Sequence, residues 1–491
     1  MVSNEDQSQA PRLSRLQVGL LLGALACYFA ALLYLNCYWV CYPADNDLDE
    51  VAWLSSNLSL SRPDSLANQG YPPGLPLLLR GLTPLVGSFL RAAFLWQSIA
   101  CTASVFFVFR ICSALSSRPA AGVLGGLCAA VALLPLATAE FADGTSTALL
   151  LAGLWVLTRR QADRRGFFQF GLAAGAAYLF RTHYLMLIVL VPTALLLVGF
   201  GWRVAGRMAL GFLAGFAATA WPLWLLNTLA YGTPLHAGVS QYNISFSVIS
   251  NAIDWEDYLR TYKRWPLSRI LRDRPMDLFD SMVNQSIKTF GHKLVVAGTA
   301  LGLFAMVLGT QRLQRQLLAF IALIAAFYIS IVIVPTRFTD RAFAPVGMLA
   351  SVLVGCGLAE LVALLAAPRR AFAGAALIAL IVSWPYGLWK DVSGRHDARL
   401  RNTKIVDLLL ANGMRSSGEV FSNIWNIYNL ADPEFGSFYN YGGWIMLDSK
   451  YAAERPPPRA KSRKEWKEFL AEHGIRFVIL RNRKDAADIF S

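Results

Sequence analysis

Charge is scarce in this chain: charged residues make up 15% of its 491 residues, against roughly 25% in an ordinary soluble domain. That scarcity excludes a conventional soluble enzyme and points to a polytopic membrane protein. Histidine is scarcer still, with five dispersed residues (His183, His236, His292, His396, His473), no H-x-x-x-H pair and no cysteine partners. A zinc site is therefore not expected from spacing. Of the seven cysteines, Cys27, Cys101, Cys112, Cys128 and Cys356 fall within apolar runs, and Cys37 and Cys41 flank the end of the first one. No disulfide framework outside the membrane is implied. The net charge of +14 is spread in twos and threes between apolar segments, with no basic domain and no aromatic platform, which excludes a nucleic-acid partner and suits topology and anionic lipid. The chain also lacks internal repeats and long low-complexity stretches.

What is present is a series of apolar runs. Crossing about 30 Å of hydrocarbon takes roughly 20 helical residues, and candidate runs occupy 17–40, 92–113, 119–139, 144–159, 167–181, 183–200, 208–230, 291–310, 317–335, 341–366 and 371–389. The sequence thus predicts an all-α membrane domain of about eleven spans. The first run is too long for a signal-peptide core and reads as an uncleaved anchor. Arginines in the short loops (Arg12 and Arg15, Arg118, Arg159 to Arg165, Arg203 and Arg207, Arg312 and Arg315, Arg369 and Arg370) fall on one side if the spans alternate. By the positive-inside rule that side is cytoplasmic, so the N-terminus is expected inside and the C-terminus outside. Residues 391–491 change character, alternating helical runs such as SRKEWKEFLAEHG with strand-like ones such as IRFVIL. They predict a small external α/β domain, following a membrane domain over 1–390.

The outer side is where the unusual residues gather. Asp45, Asp47, Asp49 and Glu50 place four carboxylates within six residues beside the first span, and charge that close to lipid is costly unless it is used. A membrane-surface active site would use it; an ordinary solvated loop is the other reading. Glu140 and Asp143 lie in the next outer loop, and Arg181, Arg337 and Arg341 are expected at outer helix ends. There a guanidinium either grips a phosphate with two parallel bonds or snorkels to the interface. His183 suits a packed interfacial position as well as a ligand-binding one. The run LPLLLRGLTPLVGSFLR suits a helix lying in the interface, with Arg80 and Arg91 towards headgroups, and Tyr258–Pro275 is basic and aromatic at near-helical spacing.

The order of these segments carries a resemblance. An acidic loop of the form D-x-x-x-x-x-aromatic-x-x-x-N-L followed by YPPG-x-P-L-L-L resembles the first external loop of GT-C superfamily glycosyltransferases that use polyprenyl-phosphate sugars, among them protein O-mannosyltransferases and lipid A aminoarabinose transferases. Glu140-Phe-Ala-Asp143 resembles their second loop. GLAAGAAYLFRTHYL resembles their G-x-x-x-G-x-x-x-L-x-R-P segment with Thr182 in place of Pro, and TDRAFAPVGML resembles R-Y-x-x-P-x-x-P with Ala342 in place of Tyr. Taken together, the segments span about 350 residues in the family's order.

The resemblance implies an inverting transfer on the outer side, with Asp47 or Asp45 as the catalytic carboxylate; Asp49 and Glu50 remain candidates. It also implies substrate contacts from Asp49, Glu50, Tyr71, Glu140, Asp143, Arg181, His183, Arg337 and Arg341. The donor would be a polyprenyl-phosphate-linked sugar and the acceptor a glycan, a lipid or a protein, within the inner membrane of a bacterium and among its lipids. No cofactor is implied. The Asp45-Asn46-Asp47 triplet has the oxygens for a divalent cation, but relatives with lipid-phosphate donors generally work without one, and no metal is expected. An oligosaccharide polymerase or ligase, also external and basic, is an alternative. A transporter or flippase would call for charge near the bilayer midplane and a two-fold repeat, and neither is evident.

Overall fold

The computed structural model describes residues 14–40, 72–87, 89–116, 118, 120–137, 141–160, 163–235, 248, 265, 267–308, 312–333, 340–365, 369–370, 373–374, 393, 397, 400, 404–405, 407–413, 420–422, 439–440, 463–472 and 476–479. It is mostly helical. Helix α1 (Arg15–Tyr34) opens with a reciprocal cap in which the Gln17 amide donates to Ser14 Oγ at 3.2 Å and the Ser14 amide to Gln17 Oε1 at 2.9 Å. A π-helical turn, Leu35–Val40, continues it. There follow α2 (Gly74–Val86), α3 (Phe89–Leu115), α4 (Ala120–Ala137), α5 (Phe141–Arg159) and α6 (Arg164–Tyr178). A 3₁₀ turn (Thr182–Met186) then leads into α7 (Leu187–Leu197) and α8 (Trp202–Tyr231). Beyond it come α9 (Leu267–Asp273), α10 (Pro275–Phe290), α11 (Lys293–Leu308), α12 (Arg312–Tyr328) with a π turn at Ile329–Ile333, and α13 (Asp340–Ala363).

Among the described residues five helices are long and apolar enough to cross a membrane, or six if α10 and α11, bent by 70°, form one span. Shorter apolar helices cover Gly74–Val86, Ala120–Leu134 and Thr182–Leu197. By the length and composition of these helices the chain is an integral membrane protein. The expected runs thus appear as helices, but several are shorter than a full crossing, and run 371–389 lies outside the described residues apart from two positions. The run LPLLLRGLTPLVGSFLR divides between α2, which ends at Val86 and carries the exposed Arg80, and the first turn of α3, which carries the exposed Arg91. In the basic aromatic segment the described residues form a helix at Leu267–Asp273, with Arg269 stacked 4.1 Å over Trp265, and residues 258–264 lie outside the described residues.

Of these five helices among the described residues, α13 is the most enclosed and α1 the least. Small residues let α13 approach its neighbours: a Cβ on Gly355 would fall 2.6 Å from Gly125 Cα of α4, and one on Gly357 only 2.2 Å from the Leu301 carbonyl oxygen of α11. Helices α6 and α8 pack the same way, reciprocally. A Cβ on Gly171 would meet the Phe212 carbonyl at 2.1 Å, and one on Gly215 would meet the Phe168 carbonyl at 2.0 Å. Thr219 Oγ1 donates to the Leu172 carbonyl at 3.0 Å between them. This is the small-residue packing that helices use in lipid, where no hydrophobic force pulls one apolar helix towards another. The core grows around it from Phe167, Phe170, Phe212, Phe216 and Phe320, all buried and in ring contact.

Near the C-terminus three short parallel strands, β1 (Val420–Ser422), β2 (Tyr439–Asn440) and β3 (Phe477–Ile479), form a sheet in the order β2-β1-β3. Helix α14 (Arg463–Glu472) leads into β3.

Candidate functional site at one end of the helix bundle

The direction of the helices decides which side chains share an end. Glu360, late in α13, pairs with Arg118 at 3.6 Å and accepts from Ser116 Oγ at 3.4 Å, so the end of α13 meets the connection between α3 and α4. Helix α5 runs from Asp143 to Arg159 and α6 returns from Arg164 to Tyr178. Arg118, Arg159 and Arg164 therefore lie at one end, and Asp143, Arg181 and the start of α13 at the other.

At that second end Arg181 Nη2 donates to Asp143 Oδ2 at 2.6 Å, with the two side chains 16% and 3% exposed. The sequence explains both positions. Asp143 lies in the first turn of α5, where the partial positive charge of the helix N-terminus favours a carboxylate. Gly144, next to it, admits Gln97: a Cβ there would fall 2.7 Å from Gln97 Oε1. Trp96 Nε1 donates to Thr145 Oγ1 at 2.8 Å, tying α3 to the same turn. Arg181 follows the end of α6, held at its depth by the packing of Gly171 and Gly175 on α8. The α-helix cannot continue there: Arg181 is extended at φ −147° and the chain tightens into the 3₁₀ turn.

The Y-P-P-G motif is joined to this point. The Gly74 amide donates to the Leu179 carbonyl at 3.0 Å, and a Cβ on Gly74 would sit 2.4 Å from that oxygen. Phe180 packs into the satellite core of α2 and α3 around Leu75, Leu79 and Phe94. The chain leaving the acidic loop is thus anchored two residues from Arg181. Behind the ion pair lies a buried aromatic group, with the His183 ring 4.7 Å from Tyr184 and 5.5 Å, edge to face, from Tyr328. The Tyr184 hydroxyl lies beside Ser146 and Thr147 of α5. His183 Nε2 and the Tyr328 hydroxyl are buried without a hydrogen-bond partner among the described residues.

Of the sequence candidates, the fold brings Asp143, Arg181 and His183 together. His183 is packed among rings, as an interfacial histidine would be. Arg341 stands in the first turn of α13 at the same end by its backbone. Asp45, Asp47, Asp49, Glu50, Tyr71, Glu140 and Arg337 lie outside the described residues. Sequence reasoning did not single out Tyr184, Tyr328, Gln97 or Thr147. Tyr184 adjoins His183 in RTHYL, but Tyr328 comes from a different helix with no local signal. Among the described residues no group of three or more His, Cys, Asp or Glu could hold a metal ion.

The sequence matches no protein-family model and no curated protein, but the fold matches solved structures. ArnT from Cupriavidus metallidurans, an aminoarabinose transferase solved bound to undecaprenyl phosphate, superposes with a TM-score of 0.51 at 16% identity, over 82% of this chain and 73% of that one. The archaeal oligosaccharyltransferase AglB from Archaeoglobus fulgidus, solved with an inhibitory peptide and a dolichol-phosphate, superposes with a TM-score of 0.56 at 11% identity, over 95% and 70%. Both are GT-C superfamily enzymes that use polyprenyl phosphate. This chain has the GT-C fold. The resemblance drawn from the loop motifs and the resemblance of the folded chain, which rest on different observations, agree.

Proposed function

We propose that this GT-C chain is an integral membrane glycosyltransferase that moves a sugar from a polyprenyl-phosphate donor to an acceptor on the outer side of the membrane, with inversion. The observation that carries the reading is the buried Arg181 to Asp143 pair, at the end of the bundle where α2 begins at Gly74, in a fold shared with two proteins that were solved with lipid phosphates. An acceptor oxygen or nitrogen attacks the anomeric carbon from the face opposite the phosphate. The bond from that carbon to the phosphate oxygen breaks, and the electron pair leaves with the lipid phosphate. The acceptor's proton passes to a carboxylate, assigned to Asp47 with Asp45 beside it. Asp49, Glu50, Tyr71 and Glu140 are assigned to the acceptor and sugar, and Arg181, Arg337 and Arg341 to the phosphate charge. No metal takes part in this reading.

The test is transfer in vitro, with purified protein in lipid and synthetic polyprenyl-phosphate sugars. The expected products are the glycosylated acceptor with inverted anomeric configuration and one polyprenyl monophosphate per transfer. Absence of lipid-phosphate release from every donor in the panel would sink the assignment. The likeness to AglB supports a second reading, an oligosaccharide donor; a series of donors with one to several sugars distinguishes the two.

The wider architecture is part of the proposal: about eleven spans over 1–390 and an external α/β domain over 391–491 that contains the β2-β1-β3 sheet. The protein is assigned to a bacterial inner membrane with its N-terminus in the cytoplasm. A phosphatase fused after Ser491 is expected to be active outside, and one inserted between Arg159 and Arg165 inactive there, because the short loops carry their arginines on one side. A cytoplasmic C-terminus would mean an even number of spans and would part the C-terminal domain from the acidic loop.

A further inference from the structure

The Arg181 to Asp143 pair raises a question that the proposed reaction leaves open. If Arg181 receives the donor phosphate, the Nη2 of its guanidinium is already engaged by Asp143. A carboxylate and a phosphate present equivalent oxygens to a guanidinium, so one can replace the other in the same geometry. Arg181 is the more accessible partner at 16%, while Asp143 is enclosed at 3%. A buried guanidinium needs an anion facing it in either state, because leaving it alone costs several kcal/mol. Asp143 is the less dependent of the two, since the N-terminus of α5 continues to stabilise its charge if Arg181 turns away. A buried ion pair also contributes little net stability against its desolvation, so exchanging one anion for another is cheap. Spare donors are at hand: the Tyr328 hydroxyl and His183 Nε2 are buried without partners among the described residues, and Tyr328 lies within the field of both Asp143 and Arg181.

We propose that Asp143 is a place-holder for the donor phosphate: it occupies Arg181 in the empty site, and the phosphate displaces it on binding and frees its carboxylate only when the donor is present. This rests on the glycosyltransferase reading above. Donor binding then includes breaking the pair, and apparent affinity is reduced by the fraction of protein in which Arg181 is held. Asp143 is a positioning residue here, and removing it has an unusual sign.

The experiment measures binding of a polyprenyl monophosphate to the purified full-length protein in nanodiscs, read by tryptophan fluorescence. Asp143→Asn is expected to bind about ten-fold more tightly than wild type, the competitor's charge being gone while its shape remains. Arg181→Ala is expected to lose binding, and the double variant to behave as Arg181→Ala, with the gain abolished. A second measurement needs no variant: carbodiimide labelling of Asp143 in the wild type, followed by mass spectrometry, is expected to rise several-fold when the lipid phosphate is added. If Asp143→Asn binds no better than wild type, or worse, Asp143 is a fixed support for Arg181 and the inference is overturned. Should that variant fail to fold, unchanged labelling overturns it equally. A wild type that binds no polyprenyl monophosphate overturns the glycosyltransferase reading and this inference with it, whereas binding without a gain in Asp143→Asn overturns this inference alone.

Discussion

Asp47→Asn is expected to abolish sugar transfer while the protein still inserts, accumulates and unfolds at the wild-type temperature. The acceptor needs a group to take its proton as the bond to the anomeric carbon forms, and a positioned base contributes about 10² to 10⁴-fold. An amide cannot accept that proton, so transfer falls by at least about a hundred-fold. The fold is expected to lose little, because Asn keeps the shape of Asp and the sequence reads Asp45 to Glu50 as a loop segment, where substitutions usually stay within about 0.5 kcal/mol. Asp45→Asn is expected to reduce transfer less. The measurement is initial rate at saturating donor, normalised to folded protein. Full activity in Asp47→Asn would pass the role to Asp45, Asp49 or Glu50, each of which the same assay can examine.

Gly215→Ala is expected to lower the unfolding temperature sharply, and Gly215→Leu to prevent accumulation of folded protein. A Cβ at that position would lie 2.0 Å from the Phe168 carbonyl oxygen, which is backbone and cannot turn aside. Helices α6 and α8 would have to separate. Overpacking of this kind costs about 1 to 3 kcal/mol or more, a large share of a total stability near 5 to 15 kcal/mol. Gly206, on the same helix, provides the control. A Cβ there meets nothing within 4 Å, and Ala in a helix interior is favoured over Gly by about 1 kcal/mol, so Gly206→Ala is expected to stabilise slightly. Fluorescence-detected size exclusion after heating reads both signs in one experiment. Equal effects at the two glycines would mean that α6 and α8 are not in the close contact described. Because Arg181 follows the end of α6, a tolerated substitution at Gly215 that shifts α6 is expected to weaken donor binding as well.

The glycine spacing in GLAAGAAYLFRTHYL was visible in the sequence, but its reason was not. Gly171 and Gly175 are needed for the approach of α8 rather than for any ligand, and the segment's function enters only through what that approach holds in place, the backbone leading to Arg181. The same is true of Y-P-P-G, where Gly74 meets Leu179 backbone to backbone.

What the sequence determined by itself was local or one-sided: where apolar runs are long, where arginines collect between them, where carboxylates cluster, and where a helix must stop. Those signals depend on the transfer of short segments from water to lipid, and each segment reports its own transfer. The tertiary structure decided which segments meet. Asp143 and Arg181, His183 and Tyr328, and Gly74 and Leu179 come from segments far apart in the sequence, and no periodicity in one chain links them. It also decided which helices are central. Helices α1 and α13 are about equally apolar, yet α1 is mostly exposed and α13 mostly buried. Composition cannot separate a lipid-facing span from an enclosed one, because lipid tails and the protein interior are about equally apolar; only the packing of small residues between helices distinguishes them.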